Sequence, residues 1–329
     1  MDFLQYNQNM LNDPDYSLSL PALKPPYTGG VVAIGNFDGV HRGHQALLAQ
    51  ARAIADQQNI PCIALTFSPH PRRFFQPHAP AFMLCAQAER DDLLRQAGAD
   101  HVAILPFNTQ LSQMSAEEFI QHILRDWLQA RHIVVGQNFV FGRGRQGHVD
   151  TLMAHGFDVT GLAQVTDAHD TIYSSTAIRQ AIMAHDFTQA ESLLGRTWAI
   201  TGNVIAGAQR GRTIGFPTAN LLWPHDLLQP PFGVYAVTVQ CADGTNHSAI
   251  ANFGVRPTIH QDDTDAQPLL EVHLFDFSGD LYGQAIRITP HHFIRPEQSF
   301  PDLAALQAQI TQDVQQAQLF HLQLAARPV

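Results

Sequence analysis

The spacing of apolar residues changes character once along the 329-residue chain, near residue 186, and that change limits the folds open to it. Before it, short apolar runs at 31–34 (VVAI), 62–67 (CIALTF), 101–105 (HVAIL) and 132–136 (HIVVG) alternate with stretches of helical periodicity such as 43–57 and 115–128. Strands separated by helices predict a parallel α/β sheet, because parallel neighbours are joined only by a crossover long enough to hold a helix. After it, the runs WAITGNVI, GVYAVTVQ, SAIANFGV, LLEVHLFDF and AIRITPHHFI are separated only by Gly, Pro and Asp turns. Five runs without helices between them predict an antiparallel barrel or sandwich. The end is helical again: Leu303, Leu306, Ile310, Val314, Ala317 and Phe320 recur at three and four residues behind Pro301, and this apolar face is expected to pack on the barrel. The chain thus reads as a polar, turn-rich lead-in at 1–28 with structure beginning at Val31, an α/β domain at 29–186, and a β domain at 187–329.

Composition narrows the function. A formal net charge of −10 argues against a nucleic-acid partner, since neutralising phosphodiesters needs a basic face. No apolar run approaches a membrane span, and residues 1–28 lack the pattern of a secretory signal. Cys62, Cys85 and Cys241 are widely spaced with no CxxC pair, which predicts a reducing, cytoplasmic setting rather than a disulfide or zinc framework. Lys24 is the single lysine and sits in the Pro-rich lead-in, so a Walker A loop is excluded. Any nucleotide phosphate must then be held by arginine, histidine, hydroxyls, backbone N–H groups or a metal ion.

Two segments carry the chemistry. In the first, VVAIGNFDGVHRGH (31–44), an apolar strand runs through a turn bearing Gly35, Phe37 and Asp38 into a helix. Such a turn presents backbone N–H groups and the positive helix end to a phosphate. His41 and His44 project from one side of the first helical turn, and Gly43 between them leaves room for close approach of a nucleotide. On spacing alone, in a chain with 18 histidines, such a pair is more often a surface pair or half a metal site. Farther on, Ser174, Ser175 and Thr176 cluster at a helix start with Arg179 one turn in, a pattern that alone reads as an ordinary cap.

The second segment, GNVIAGAQRGRTIGFPTAN (202–220), has Gly207, Gly211 and Gly215 spaced to let a loop fold around a phosphate chain. Thr218 and Asn220 alternate as in a strand and point the same way, offering two neutral oxygen ligands of the kind Mg²⁺ accepts beside phosphates and water. Glu271 lies on a mostly apolar strand (LLEVHLF), where periodicity alone favours an outward-facing carboxylate.

The GNFDGVHRGH and SSTAIR strings together resemble the HxGH nucleotidyltransferases. With TFSPHPRRFF (66–75), LSQMSAEEF (111–119) and VVGQNFVFGRGRQG (134–147), they resemble in particular the adenylyltransferase half of prokaryotic riboflavin kinase/FAD synthetases, over residues 31–186. GRTIGFPTANL, PFGVYAV, ANFGVRPTI, LEVHLFDFSGDLYGQ and FIRPEQSF resemble the riboflavin kinase module in order and spacing over residues 187–325. The resemblance implies a Rossmann-like parallel sheet followed by an antiparallel riboflavin-kinase β-barrel with a C-terminal helix. It also implies a chain that makes FMN from riboflavin and ATP, then FAD from FMN and ATP, with Mg²⁺. Its partners would be these small molecules, with at most weak self-association.

By the same resemblance, His41 and His44 stabilise charge as pyrophosphate leaves. Ser175, Thr176 and Arg179 hold the β and γ phosphates, and Asn138 lies near the nucleotide. Thr218 and Asn220 carry Mg²⁺, and the glycine loop with Arg212 covers the phosphates. Glu271 is the base toward the ribityl hydroxyl. Phe293, Arg295 and Phe300 are isoalloxazine contacts, the two rings being equally consistent with core. Ile172 and Phe82 depart from the family pattern, which often has arginine at both places. The competing readings are a kinase whose first domain only binds nucleotide or flavin, and, more distantly, a flavin sensor without catalysis.

Overall fold

The computed structural model describes residues 27–167, 170–205, 216–255 and 268–326. Gly207, Gly211, Arg212 and Gly215, and nearly all of the lead-in, lie outside the described residues. The described chain forms two compact units, one from residues up to Pro80 together with Gln87–Ser174, the other from Ala81–Ala86 together with the residues from Ser175 onward.

The first unit is a five-stranded, fully parallel sheet of β1 (Val31–Ile34), β2 (Cys62–Ser68), β3 (His101–Pro106), β4 (His132–Gly136) and β5 (Asp158–Leu162) in the order β3-β2-β1-β4-β5. All four predicted runs are strands, and the fifth is the short DVTGL. β1 is fully buried on both faces, as a central parallel strand must be. Val32, Ile34, Ile63 and Leu65 face one core with Phe119, Ile120, Ile123 and Leu124. Val31, Ala33, Cys62 and Ala64 face the other with Leu47, Leu48 and Leu94.

The predicted helix at 43–57 spans Arg42–Gln58, and His41 is its N-cap. The helix predicted at 115–128 starts on a Ser115/Glu118 capping box but continues from Phe119 to Trp127 as a π-helix, which a 3.6-residue periodicity does not reveal. The first unit includes Tyr27, ahead of Val31. The Tyr27 ring stacks on His101 at 3.9 Å and its hydroxyl donates to the Val102 carbonyl at 2.7 Å, so an aromatic of the lead-in is part of this core.

The second unit is an antiparallel sheet in the order β6-β11-β8-β9-β10-β7. It comprises β6 (Ile200–Asn203), β7 (Ala219–Leu222), β8 (Gly233–Gln240), β9 (Asn246–Gly254), β10 (Leu269–Leu274) and β11 (Ala285–Pro296). The outer strands β6 and β7 meet through a bridge between Ile205 and Asn220, whose N–H to carbonyl distance is 2.8 Å, so the sheet closes into a barrel. The five predicted runs become six strands, because the four residues ANLL after Thr218, Ala219–Leu222, form a strand of their own. Ala81–Ala86 also belongs here. Met83 N–H donates to Asp226 at 2.9 Å, Leu228 N–H donates to Met83 at 2.7 Å, and the buried Trp198 indole donates to the Leu84 carbonyl at 2.8 Å.

The C-terminal helix, Leu303–Ala325, is capped by Asp302, whose carboxylate accepts from Ala305 N–H at 2.8 Å. Its barrel-facing side is less apolar than its spacing suggested. Ala317 is fully buried and Val314 and Phe320 pack beside it, but the other buried residues are Asp313 and His321, while Leu303 is 58% exposed. Asp313 is admitted because Arg295 of β11 meets its carboxylate through Nε at 3.0 Å and Nη2 at 2.7 Å. His321 is admitted because its Nε2 lies 3.1 Å from the Ala249 carbonyl.

Candidate active sites

In the first unit the strand order reverses between β1 and β4, and a crevice at the carboxyl ends of those two strands is where an open α/β sheet binds its ligand. The chain places Gly35–His44 directly after β1 and Asn138, exposed, in the turn directly after β4. The β1 loop is held from below: Gly35 N–H donates to Leu65 at 3.1 Å, and the buried Thr66 hydroxyl donates to the Asn36 carbonyl at 3.2 Å. Phe37, Gly39 and Val40 have φ of 51°, 76° and 39°. Glycine adopts this region freely, but a β-branched valine does so only where its surroundings hold it. Here Phe37 and Val40 are both buried and their turn is closed by Val40 N–H on the Phe37 carbonyl at 3.1 Å. Asp38, between them, is 1% exposed.

The two imidazoles are brought together as the spacing predicted. Their rings stack at 3.6 Å, and the edge of Phe37 meets His44 at 5.2 Å. His41 Nδ1 accepts from His44 N–H at 3.4 Å, which places the His41 proton on Nε2. Burial holds His44 well below the ordinary histidine range, and the neighbouring His41 lowers it further, so at neutral pH His44 is an uncharged donor. Its Nδ1 is buried without a partner among the described residues. A Cβ on Gly43 would lie 3.2 Å from both the His41 ring and the Tyr173 carbonyl, so glycine is what lets the backbone just before Ser174 come this close.

Ser175 opens the helix Ser175–Met183, with Thr176 exposed beside it. Arg179 of that helix donates through Nε to the Phe82 carbonyl at 2.7 Å, and its guanidinium lies 5.2 Å from the centre of the Phe82 ring. The phenyl group that departs from the family pattern is thus a packing platform for the motif arginine. Ile172, the other departure, is 42% exposed and bridges to Thr166.

Sequence reasoning passed over an aromatic group on the β2 and β3 side. Phe107, just after β3, meets Phe67 at 5.9 Å, Phe74 at 5.4 Å and Phe75 at 5.7 Å, and Phe75 is 64% exposed. The rings are scattered in sequence, and only the parallel pairing of β2 with β3 collects them. Arg90 was passed over too; it is 2% exposed and donates to the Phe67 carbonyl at 3.3 Å.

In the second unit, strand register assembles the site. β10 pairs with β7 so that Glu271 stands opposite Asn220, and with β9 so that Glu271 stands opposite Asn252. Directly opposed residues share a face with Cβ atoms about 5 Å apart. Thr218 lies two residues before Asn220, just ahead of β7, and its carbonyl accepts from the Asn220 amide at 3.3 Å. The row continues through Val234 on β8 to Arg295 on β11. Asn220 is 3% exposed and Glu271 half-buried. Of the residues expected to contact flavin, Phe293 stacks on His185 at 3.8 Å and meets the Tyr235 edge at 5.1 Å, while Arg295 is bound to Asp313 with Phe300 5.7 Å away.

Among the described residues no helix is long and apolar enough to cross a membrane, and no group of three or more His, Cys, Asp or Glu side chains is placed to hold a metal ion.

The FAD synthetase family model matches residues 24–177 and the riboflavin kinase family model residues 194–321. A bifunctional riboflavin kinase/FMN adenylyltransferase of Pseudomonas fluorescens is 42% identical over 89% of this chain and 93% of its own. The protein of the same description from Escherichia coli K12 is 39% identical over 88% and 91%. A crystal structure from Streptococcus pneumoniae, described as a macrolide-efflux protein, superposes with a TM-score of 0.79 at 30% identity over 91% of this chain and 96% of that one. Because relatives at this identity are covered almost end to end and both halves match in order, the chain belongs to the bifunctional riboflavin kinase/FMN adenylyltransferase family.

Proposed function

We propose that the Glu271–Asn220–Thr218 face is the kinase centre and the His41–His44 loop the adenylyltransferase centre of this bifunctional enzyme. The chain phosphorylates riboflavin to FMN and adenylylates FMN to FAD, using ATP in both steps and releasing pyrophosphate in the second. The observation that carries the assignment is the strand register that sets Glu271 directly opposite Asn220.

The two reactions ask for different residues. A ribityl hydroxyl is a weak nucleophile near neutral pH, so Glu271 accepts its proton as the oxygen attacks the γ-phosphorus of ATP, the bond to the β,γ-bridging oxygen breaks and ADP leaves. An FMN phosphate oxygen is already anionic and needs no base, so the first unit works by positioning and charge stabilisation. His41 through Nε2 and the uncharged His44 donate to phosphate oxygens as charge moves to pyrophosphate. Ser175, Thr176 and Arg179 hold the β and γ phosphates, with Gly35, Phe37, Asp38, Gly43 and Asn138 shaping the nucleotide site. The phenylalanines around Phe107, packed edge to face with Phe75 exposed, offer an apolar surface for the flavin that accepts the adenylyl group.

Thr218 and Asn220 suit Mg²⁺. Two neutral oxygens beside one carboxylate make a poor cage alone but a good one when phosphates and water complete it. Bound there, Mg²⁺ would offset charge on the ATP phosphates. All three cysteines are free and buried, in keeping with a reducing, cytoplasmic setting.

The test is incubation with riboflavin, ATP and Mg²⁺ followed by chromatographic separation of riboflavin, FMN and FAD, for the wild type and for Glu271→Gln and His44→Ala. The assignment requires each substitution to remove one product-forming step and spare the other; parallel loss of both in folded variants refutes it.

A further inference from the structure

We propose that Asn252 positions riboflavin in the kinase site, its amide hydrogen-bonding the ribityl hydroxyls next to the one that is phosphorylated. This rests on the reading of Glu271 as the base. The register places Asn252 directly opposite Glu271 on the side away from Asn220. The carboxylate is therefore flanked by two amides, one toward the phosphate-binding side and one away from it. Strands lie about 4.8 Å apart, which is roughly the separation of hydroxyl oxygens on alternate carbons of an extended polyol, so a chain whose terminal hydroxyl meets Glu271 brings its next hydroxyls to Asn252.

The surroundings favour a ligand role over a packing one. Ala251 and Phe253, the flanking residues on β9, are each 1% exposed and face the barrel interior, whereas Asn252 is half-buried on the outer face. Beyond it on that face come Val234, Ala236 and Ile250, the apolar patch beneath the C-terminal helix. A β-branched residue would fit such a strand position better, since asparagine is disfavoured within strands. An amide instead offers a donor and an acceptor together, which vicinal hydroxyls can both use, and it adds no charge beside the carboxylate.

Asn252→Ala in the full chain tests this through steady-state kinetics with riboflavin and with its 3′-deoxy and 4′-deoxy analogues. Loss of a buried hydrogen bond that leaves its partner unsatisfied predicts a fall of about 5- to 100-fold in kcat/KM for riboflavin. The KM for ATP and FAD formation from FMN should stay unchanged, and the analogue lacking the contacted hydroxyl should be used equally well by both proteins. A kcat/KM within twofold of wild type, or a penalty that persists in full for both analogues, overturns the proposal. If Glu271→Gln remains active, the base lies elsewhere, and the analogue pattern of Asn252→Ala still decides whether Asn252 reads the ribityl chain.

Discussion

Replacing Asp313 by asparagine should destabilise the second unit strongly. Asp313 is 2% exposed and receives Arg295 Nε at 3.0 Å, Arg295 Nη2 at 2.7 Å and the Gln309 amide at 2.9 Å. Asparagine fills the same volume, so no cavity forms; what is lost is the charge opposite a guanidinium whose side chain is only 17% exposed. Removing one partner of a buried pair costs about 3–5 kcal/mol, because the other charge stays desolvated. With a urea dependence of about 2 kcal/mol per molar, the midpoint should fall by roughly 2 M. Trp198 and Trp223, 4% and 2% exposed, report this unit by fluorescence, and kinase activity against urea gives a second probe for a chain whose two units need not unfold together. The double substitution Arg295→Met, Asp313→Leu should recover most of the loss, since a well-packed apolar pair replaces a buried ion pair at little cost. A midpoint shift under 0.3 M for Asp313→Asn, on a scale where about 2 M is expected, would show that the pair is solvated and that the helix is held by apolar contacts alone.

Glu271→Gln should lower FMN formation by about 10²-fold or more, within the range for a lost general base, while FAD formation from FMN continues; activity within a few-fold of wild type would make Glu271 a strand carboxylate and nothing more. His44→Ala should lower FAD formation by about 10²–10³-fold with FMN formation retained, as measured by product chromatography. Burial, with His321 adding to it, lowers His291 to about 4 from 6.5. Because its folded-state pKa is depressed, its neutral form is favoured by folding, and stability present above pH 6.5 is lost as pH falls toward 4, by about 3 kcal/mol at most. His291→Gln should flatten that slope in a pH series of denaturation midpoints. A fragment of residues 187–329 lacks Leu84 and Met83 and so leaves the Trp198 indole and the Leu228 N–H without their partners; its melting temperature should lie below that of the same unit in the full chain.

Sequence alone determined what is local or periodic. A strand, a turn and a helix start are adjacent in the chain, so GNFDGVHRGH specified the stacked His41–His44 pair, and the alternation of strand and helix specified the parallel sheet. Alternation likewise led to the expectation that Thr218 and Asn220 share a side, although the strand itself begins only at Ala219. Tertiary structure decided what depends on pairing across the chain. Whether Glu271 met Asn220 or faced solvent turned on a register between strands about fifty residues apart, and a slip of one residue would have sent it to the other face. The same register brought in Asn252, which no local pattern distinguished. The Phe107 cluster needed β2 beside β3, and the place of Ala81–Ala86 in the second unit needed its bonds to Trp198, Asp226 and Leu228. The polar residues buried under the last helix, Asp313 and His321, broke its apolar stripe because their partners, Arg295 and the Ala249 carbonyl, lie on strands that helical periodicity cannot see.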